Sequence, residues 1–534
     1  MIYQIYPRSF NDSNGDGIGD IPGITEKVDY LEWLGIDGVW LNPVYDSPND
    51  DNGYDVRNYE KIMDEYGNLE EWEELLNSLH DRNINLIMDF VPNHTSDEHR
   101  WFENSRSPRE NEYRDYYFWR SGKNDGPPND WESVFGGSAW EYDERAEQYY
   151  LHLFSKKQPD LNWDNPEVRE SIYEAMKFWL RKGVDGLRLD VVNFISKAAN
   201  LPDARSDEHP GSKGSKYYID GPNVHQYVQE MHEEVFANFD MVAIGETPLV
   251  NLEDGKQYID PDSNELDMLF HFDHVTFDKG PKGDWGKQRD WNLTELKEIF
   301  GRWIEAADEV GGWMANYLSN HDQPRAVSRY GNDQEYRVES AKTLATLLLT
   351  LPGTPFIYQG CEIGMTNYPF QSIEDIQDVS TRNHFQELKQ EGKIDSFEEV
   401  KESVRFWSRD NARTPMQWSD QNYADFSHSK PWLAVHPNHE EVNVERERSD
   451  QNSVLNYYRR LIALRKSADV LVYGEYEPLL QNHEKIFAYL REWKGDRVMV
   501  AMNFTPEEVT IPEDLSFDRG QLLLGNYGNE AAPL

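Results

Sequence analysis

Eight short runs rich in apolar and β-branched residues alternate with helical patterns along this chain, and short alternating strands follow them near the C-terminal end. That order predicts an α/β fold, a (β/α)8 TIM barrel with a lobe inserted after its third strand and a C-terminal antiparallel β domain. A further sign is that carboxylates stand at the ends of several runs, where barrels carry their reactive groups.

Taken in order, the strands are expected at 2–6, 38–43, 85–91, 186–192, 241–246, 266–272, 313–318 and 354–358, each a run suited to a strand buried on both faces. Helical spacing of apolar residues fills the intervals at 24–34, 69–82, 166–182, 224–236, 293–307 and 336–351, with a further long helix at 454–465. From 95 to 165 the alternation is broken by aromatic residues, Gly and Pro, over a stretch far too long for a βα connection. The expected division is barrel over 1–94, inserted lobe over 95–165, barrel over 166–471 with a long loop at 364–418, and β domain over 472–534. Strands at 486–490 and 497–502 belong to that last domain, which is expected to be cut short because Ala532-Pro533-Leu534 offers no closing strand. The chain likewise opens directly in strand-like sequence, so a few residues are expected to precede Met1.

Acidic residues number 98 against 53 basic ones, a net charge of −45. Binding to nucleic acid is thereby excluded, since phosphate contact needs the opposite sign. The excess is spread along the chain (Glu70-Glu71, Glu73-Glu74, Glu440-Glu441), as on the uniformly acidic surface of a salt-adapted protein; an ordinary acidic bacterial enzyme is the alternative. No run approaches the about 18 apolar residues of a membrane span, and the first residues lack the basic and apolar regions of a signal peptide. One cysteine, Cys361, rules out an internal disulfide and fits a reducing cytoplasm; it is expected to be a small buried residue rather than a reactive one. The expected assembly is a monomer or weak homodimer.

The fourth run, Gly186-Leu187-Arg188-Leu189-Asp190-Val191-Val192, embeds two charges two residues apart, on one face of a strand. Burying an arginine with a carboxylate is costly unless the pair serves a site, the alternative being a structural ion pair under a loop. Ile244-Gly245-Glu246 and Ser319-Asn320-His321-Asp322 end the fifth and seventh runs, and Asp89-Phe90-Val91-Pro92-Asn93-His94 ends the third with a histidine placed to meet a ligand hydroxyl. In a barrel the ends carrying Asp190, Glu246 and Asp322 converge. Two carboxylates flanking a sugar linkage, one as nucleophile and one as proton donor, are the equipment of glycoside hydrolysis. Clustering also raises the pKa of one member, as a general acid needs. Separately, Asp12, Asn14, Asp16, the Ile18 carbonyl and Asp20 place oxygens at alternate positions of a glycine-containing loop. A structural Ca2+ (or Mg2+) is expected there, although Gly23 stands where an EF-hand would close with Glu; a metal-free Asx-turn loop is the alternative.

These four end motifs, with Gln158-Pro159-Asp160-Leu161-Asn162-Trp163 and Arg413-Thr414-Pro415-Met416-Gln417-Trp418, closely resemble the α-amylase superfamily, and within it the oligo-1,6-glucosidase branch of glycoside hydrolase family 13. The resemblance spans nearly the whole chain. It implies that Asp190 is the nucleophile, Glu246 the acid/base and Asp322 the transition-state stabiliser. It implies that Asp51, Tyr54, His94, Arg188, His321 and Arg413 line a pocket for the non-reducing glucose, with Tyr54 under the ring and Arg413 paired with Asp51 to close the far end. Exo-attack with retention of configuration would follow. Arg188 beside Asp190 should keep that carboxylate ionised. Val191, directly after the nucleophile, resembles enzymes acting on α-1,6 bonds, where Thr marks α-1,4 specialists; use of the same site on α-1,4 bonds or for glucosyl transfer is the near alternative. The stretch 277–285 lacks the Arg-Leu-Asp-Arg-Asp of sucrose-isomerising relatives, which disfavours isomerisation. The chain departs from the branch at Cys361, where Glu is usual. A non-catalytic relative is disfavoured because all three acids are present.

Overall fold

The strand β1 (Ile2–Ile5), buried along its length, begins a parallel sheet that continues through β2 (Gly38–Leu41), β3 (Asn85–Phe90), β4 (Gly186–Leu189), β5 (Val242–Glu246), β6 (Met268–Phe270), β7 (Ala315–Asn316) and β8 (Thr354–Tyr358). This computed structural model describes residues 1–107, 111–204, 211–280, 288–511 and 520–527. Neighbouring strands follow the order β6-β5-β4-β3-β2-β1-β8-β7, and a parallel bridge between Leu269 and Met314 joins the two ends. The sheet is therefore a closed barrel. All eight expected strands are present, most of them a residue or more shorter than the apolar runs suggested.

Alternation along each strand decides what the barrel holds. In β2, Val39 and Leu41 pack outward under the helices, while Trp40 joins an interior cluster with Ile2, Ile87, Ile244, Met268, Phe270 and Phe356. In β3, Leu86, Met88 and Phe90 pack outward, which leaves Ile87 and then Asp89 facing in. In β4, Leu187 and Leu189 pack outward and Arg188 faces in, directly opposite Asp89 in the register. The interior is thus apolar low in the barrel and polar at its C-terminal rim, as a barrel with a site at that end requires.

Helices cover the outside with apolar stripes. Leu69–His80 buries Trp72, Leu75, Leu76 and Leu79 and starts with a capping box between Asn68 and Glu71, a device contributing about 1 kcal/mol. Pro166–Arg181 and Leu293–Val310 bury similar stripes. The expected single helix over 24–34 is instead two, Ile21–Glu26 and Val28–Leu34, broken at Lys27. The first starts early because the Asp20 carboxylate accepts the Gly23 N–H at 2.6 Å. Gly23 is required there, since a Cβ would lie 2.1 Å from the Asn11 carbonyl oxygen.

Three further units flank the barrel. After β3, the segments Trp119–Arg120, Trp140–Asp143 and Gln148–Leu151 form a small antiparallel sheet over an apolar cluster that also takes in Val191, Phe194 and Ile219 from the chain after β4. After β8, the helices Val379–Gln390 and Lys401–Trp407 share a core of Phe370, Ile376, Phe385, Val400 and Val404. At the C-terminal end β9 (Glu475–Leu479), β10 (Ile486–Trp493) and β11 (Asp496–Asn503) form an antiparallel sheet. Lys494 and Gly495 turn its hairpin with φ of 51° and 95°, the left-handed pair of a type I′ turn. Arg491 and Arg465, both buried and with no carboxylate ion pair among the described residues, donate to Thr350 O and to Leu349 O and Leu351 O, and so cap the end of the helix Arg337–Thr350 and tie this sheet to the barrel.

Candidate active site

The rim of β3, β4 and β5 is organised by one guanidinium. Arg188 donates to Asp89 Oδ1 at 2.8 Å and to Asp190 Oδ1 at 2.9 Å, and its other terminal nitrogen lies 2.8 Å from Glu246 Oε1. It also lies over the Trp40 ring, 5.0 Å from the centroid. A buried cation pays its desolvation only with several good partners, and here three carboxylates supply them. β4 ends at Leu189, three residues before the apolar run does, because Val191 turns into the left-handed region with φ 37° and ψ 43°. That conformation is unusual for a β-branched residue. It points the Val191 N–H at Glu246 Oε2, 3.0 Å away.

Asp190 and Glu246 are thus brought together by the two terminal nitrogens of one guanidinium. Burial and then the negative charge of Glu246 lift the Asp190 carboxyl well above its usual range, with Arg188 pulling the other way. The expectation that Arg188 would keep Asp190 ionised is corrected here: Arg188 is shared among three acids, and its charge does not offset burial at Asp89 or Asp190.

Asp322 behaves oppositely. Burial acts to raise it, but His321, Arg409 and Arg413 outweigh burial and hold its carboxyl well below the ordinary range. Arg413 lies 2.6 Å from Asp322 Oδ1 and also donates to the His321 carbonyl. The expected Arg413–Asp51 pair is not formed. Arg409, one helical turn earlier, takes that place, 3.0 Å from Asp51 Oδ1, 3.3 Å from Asp322 Oδ1 and 2.7 Å from Asp378 Oδ1.

These groups surround a cavity of about 740 Å3 lined by Asp51, Tyr54, His94, Asp190, Val191, Glu246 and Asp322. Arg188, His321 and Arg413, expected on its wall, are buried behind it. Tyr54 stacks on His321 with ring centroids 5.3 Å apart, and its hydroxyl donates to Asp89 at 2.9 Å while accepting from Asn42. His94 is held neutral, pushed down to about 4 by burial, and meets Gln158, whose amide donates to Asp51. Phe135, Phe154, Phe194 and Trp407 give the outer part of the cavity an aromatic wall. Asp89, Gln158, Asp378 and Arg409 were missed as site residues. The first could have been found from the strand alternation that places it opposite Arg188, and the last from its i,i+4 spacing to Arg413.

The oxygen-rich loop lies apart from this cavity. Asp12 accepts from the N–H groups of Gly15 and Gly17, Asn14 from Asp16, and Asp16 from Ile18. Asp20 is turned to cap the helix that follows and to accept from Ser13. Among the described residues no three His, Cys, Asp or Glu side chains converge on one point, so the donors expected for a cation, Asp12, Asn14, Asp16, Asp20 and the Ile18 carbonyl, are not gathered around one. All are oxygens, which suits a hard divalent ion. Cys361 is half-buried, with its thiol pushed up to about 12 by burial, as an inert residue should be. Residues 281–285 of the stretch compared with isomerising relatives lie outside the described residues.

Comparison with known proteins bears on this geometry. The family description "Alpha amylase, catalytic domain" matches residues 4–474. The chain is 51% identical to the oligo-1,6-glucosidase of Bacillus cereus over 536 residues, covering 100% of this chain and 96% of that one. It is 52% identical to that of Parageobacillus thermoglucosidasius, covering 100% and 95%. Among solved structures, the isomaltulose synthase of Klebsiella sp. LX3 superposes with a TM-score of 0.96 at 45% identity, covering 100% of this chain and 95% of that one.

Proposed function

The chain belongs to the α-amylase family, glycoside hydrolase family 13, and from that premise we propose that it is a retaining, exo-acting α-glucosidase hydrolysing terminal α-1,6 bonds of short isomalto-oligosaccharides. The observation that carries the mechanism is the joint hold of Arg188 on Asp190 and Glu246. Two carboxyls held by one guanidinium favour the close spacing of about 5–5.5 Å of a retaining enzyme over the roughly 6.5–9.5 Å that an inverting enzyme needs to place a water between them. Glu246 gives its proton to the glycosidic oxygen as the bond to the anomeric carbon breaks, and the Asp190 carboxylate attacks that carbon to form the glucosyl ester. The freed sugar leaves. Water then attacks the anomeric carbon, returns a proton to Glu246 and releases Asp190, so configuration is retained. Asp322, held ionised by His321, Arg409 and Arg413, and Asp51 take the glucose hydroxyls.

The closed end made by Arg409 between Asp51 and Asp322 supports attack from the chain end. Val191 on the cavity wall and the oligo-1,6-glucosidases at about half identity support the α-1,6 preference. Product analysis on isomaltose, panose, maltose and sucrose, with the anomer read by NMR, tests this reading. Preferential release of α-glucose from isomaltose and panose is expected; β-glucose as first product or a preference for maltose would overturn it.

The same reading includes a Ca2+ or Mg2+ on the oxygen-rich loop, supported by the all-oxygen character of Asp12, Asn14, Asp16, the Ile18 carbonyl and Asp20. It places the protein in the cytoplasm of a salt-adapted organism as a monomer or weak homodimer, supported by the single cysteine and the net charge of −45.

A further inference from the structure

The unit after β8 reaches the cavity through one carboxylate. Asp378 is 1% exposed and stands at the N-terminus of the helix Val379–Gln390, accepting from the backbone N–H groups of Ser380 and Thr381. The same carboxylate accepts from Arg409 Nε at 2.8 Å and lies 2.7 Å from its Nη2. That guanidinium also holds Asp51 at 3.0 Å and Asp322 at 3.3 Å. Three acids from three separate loops therefore compete for one cation. Without Asp378, Arg409 would settle wholly on Asp51 and Asp322, and those two carboxylates must face hydroxyls if the cavity takes a glucose. The Asp378–Arg409 pair is fixed from its own side as well. Asp410, the next residue after Arg409, accepts from the N–H groups of Gln377 and Asp378, and Arg409 lies over the Phe135 ring, 4.9 Å from its centroid. The helix behind Asp378 belongs to a unit with its own small core of Phe370, Ile376, Phe385 and Val404. Such a unit can open locally without unfolding the barrel.

We infer that Asp378 is a positioning residue of the glucose pocket, holding Arg409 back from Asp51 and Asp322, and that through it occupancy of the pocket stabilises the closed state of the unit after β8. This rests on the pocket being a glucosyl site. If opening of the unit withdraws Arg409, ligand binding must slow that opening by the factor 1 + [L]/Kd, about tenfold at a ligand concentration near ten times Kd.

The test is hydrogen exchange of the wild-type protein with and without glucose, together with Asp378→Asn and, as a control, Phe385→Leu, which loosens the unit's core without touching Arg409. In wild type, glucose is expected to slow exchange over 379–390 and 401–407 by about tenfold at that concentration. In Asp378→Asn that protection should fall below about twofold, with kcat/KM on isomaltose down by about tenfold to a hundredfold, mainly through KM. Phe385→Leu should raise basal exchange of the unit yet keep the glucose-dependent protection and KM. Unchanged wild-type exchange over these segments while isomaltose is still hydrolysed would overturn the inference and leave the proposed function standing. An unchanged KM in a folded Asp378→Asn, or equal KM rises in both variants, would overturn the positioning role. Failure of the wild type to hydrolyse isomaltose would instead remove the reading beneath it.

Discussion

The Val191 backbone N–H donates to Glu246 Oε2 at 3.0 Å, so the residue after Asp190 is bonded to the carboxylate proposed as proton donor. The bond exists because Val191 adopts φ 37°, a conformation β-branched residues avoid and one that costs of the order of 1 kcal/mol or more. Its side chain meanwhile packs with Phe194, Tyr218 and Ile219 in the core of the inserted lobe. A single residue thus links the lobe beside the cavity to Glu246, the proposed proton donor.

Changing Val191 to Thr should therefore act on both. A hydroxyl among those apolar neighbours costs about 1–3 kcal/mol if it finds no partner. The rate ratio for isomaltose over maltose is expected to fall by about tenfold. Steady-state kinetics on the two disaccharides and a thermal melt check this; an unchanged ratio would remove Val191 from the linkage preference.

Asp190→Asn should lower turnover by about a thousandfold or more. Its melting temperature should stay at or slightly above that of wild type. The sign follows from the raised Asp190 carboxyl: ionisation of a group whose folded pKa lies above its unfolded value destabilises the fold, and Asn resembles the protonated form. A large loss of stability at neutral pH would contradict this.

His271 and His274 lie buried after β6, His271 stacked on Trp303 at 4.7 Å. Burial pushes His271 down to about 3 and His274 well below its usual value. A depressed folded pKa means that their contribution is present above the unfolded value of about 6.5 and is lost as pH falls below it. Melting temperature should drop between about pH 6.5 and pH 4, and His271→Phe, which keeps the stacking, should flatten that slope. Equal slopes in both proteins would exclude His271 as a cause.

Chelation should lower the melting temperature by about 1–2 °C, what 1–2 kcal/mol represents in a chain of this size, while changing kcat little. Re-addition of Ca2+ or Mg2+ should restore it. An identical melt with and without chelator would remove the ion from the loop.

Strand positions and the three acids were legible because period-2 alternation and apolar runs register burial directly, and a charge inside such a run has few structural uses. The barrel order followed from the βα repeat alone. What could not be read was which partner each charge chooses. Arg413 and Arg409 are equally basic in sequence, and only the turn of the short helix Asp410–Arg413 decides that one meets Asp322 and the other reaches Asp51 as well. The left-handed turn at Val191 was also hidden, because its apolar, β-branched sequence reads as more strand. Asp378 gave no signal, being an ordinary helix cap until the fold brings Arg409 against it.

The most direct measurement is to trap the covalent intermediate. A fluorinated α-glucosyl fluoride, which forms the glucosyl ester quickly and releases it slowly, should add one fluoroglucosyl mass to the protein, and peptide mapping should place it on Asp190. Label on Glu246, or inactivation without any glucosyl adduct, would contradict the roles assigned to the two carboxylates that Arg188 holds together.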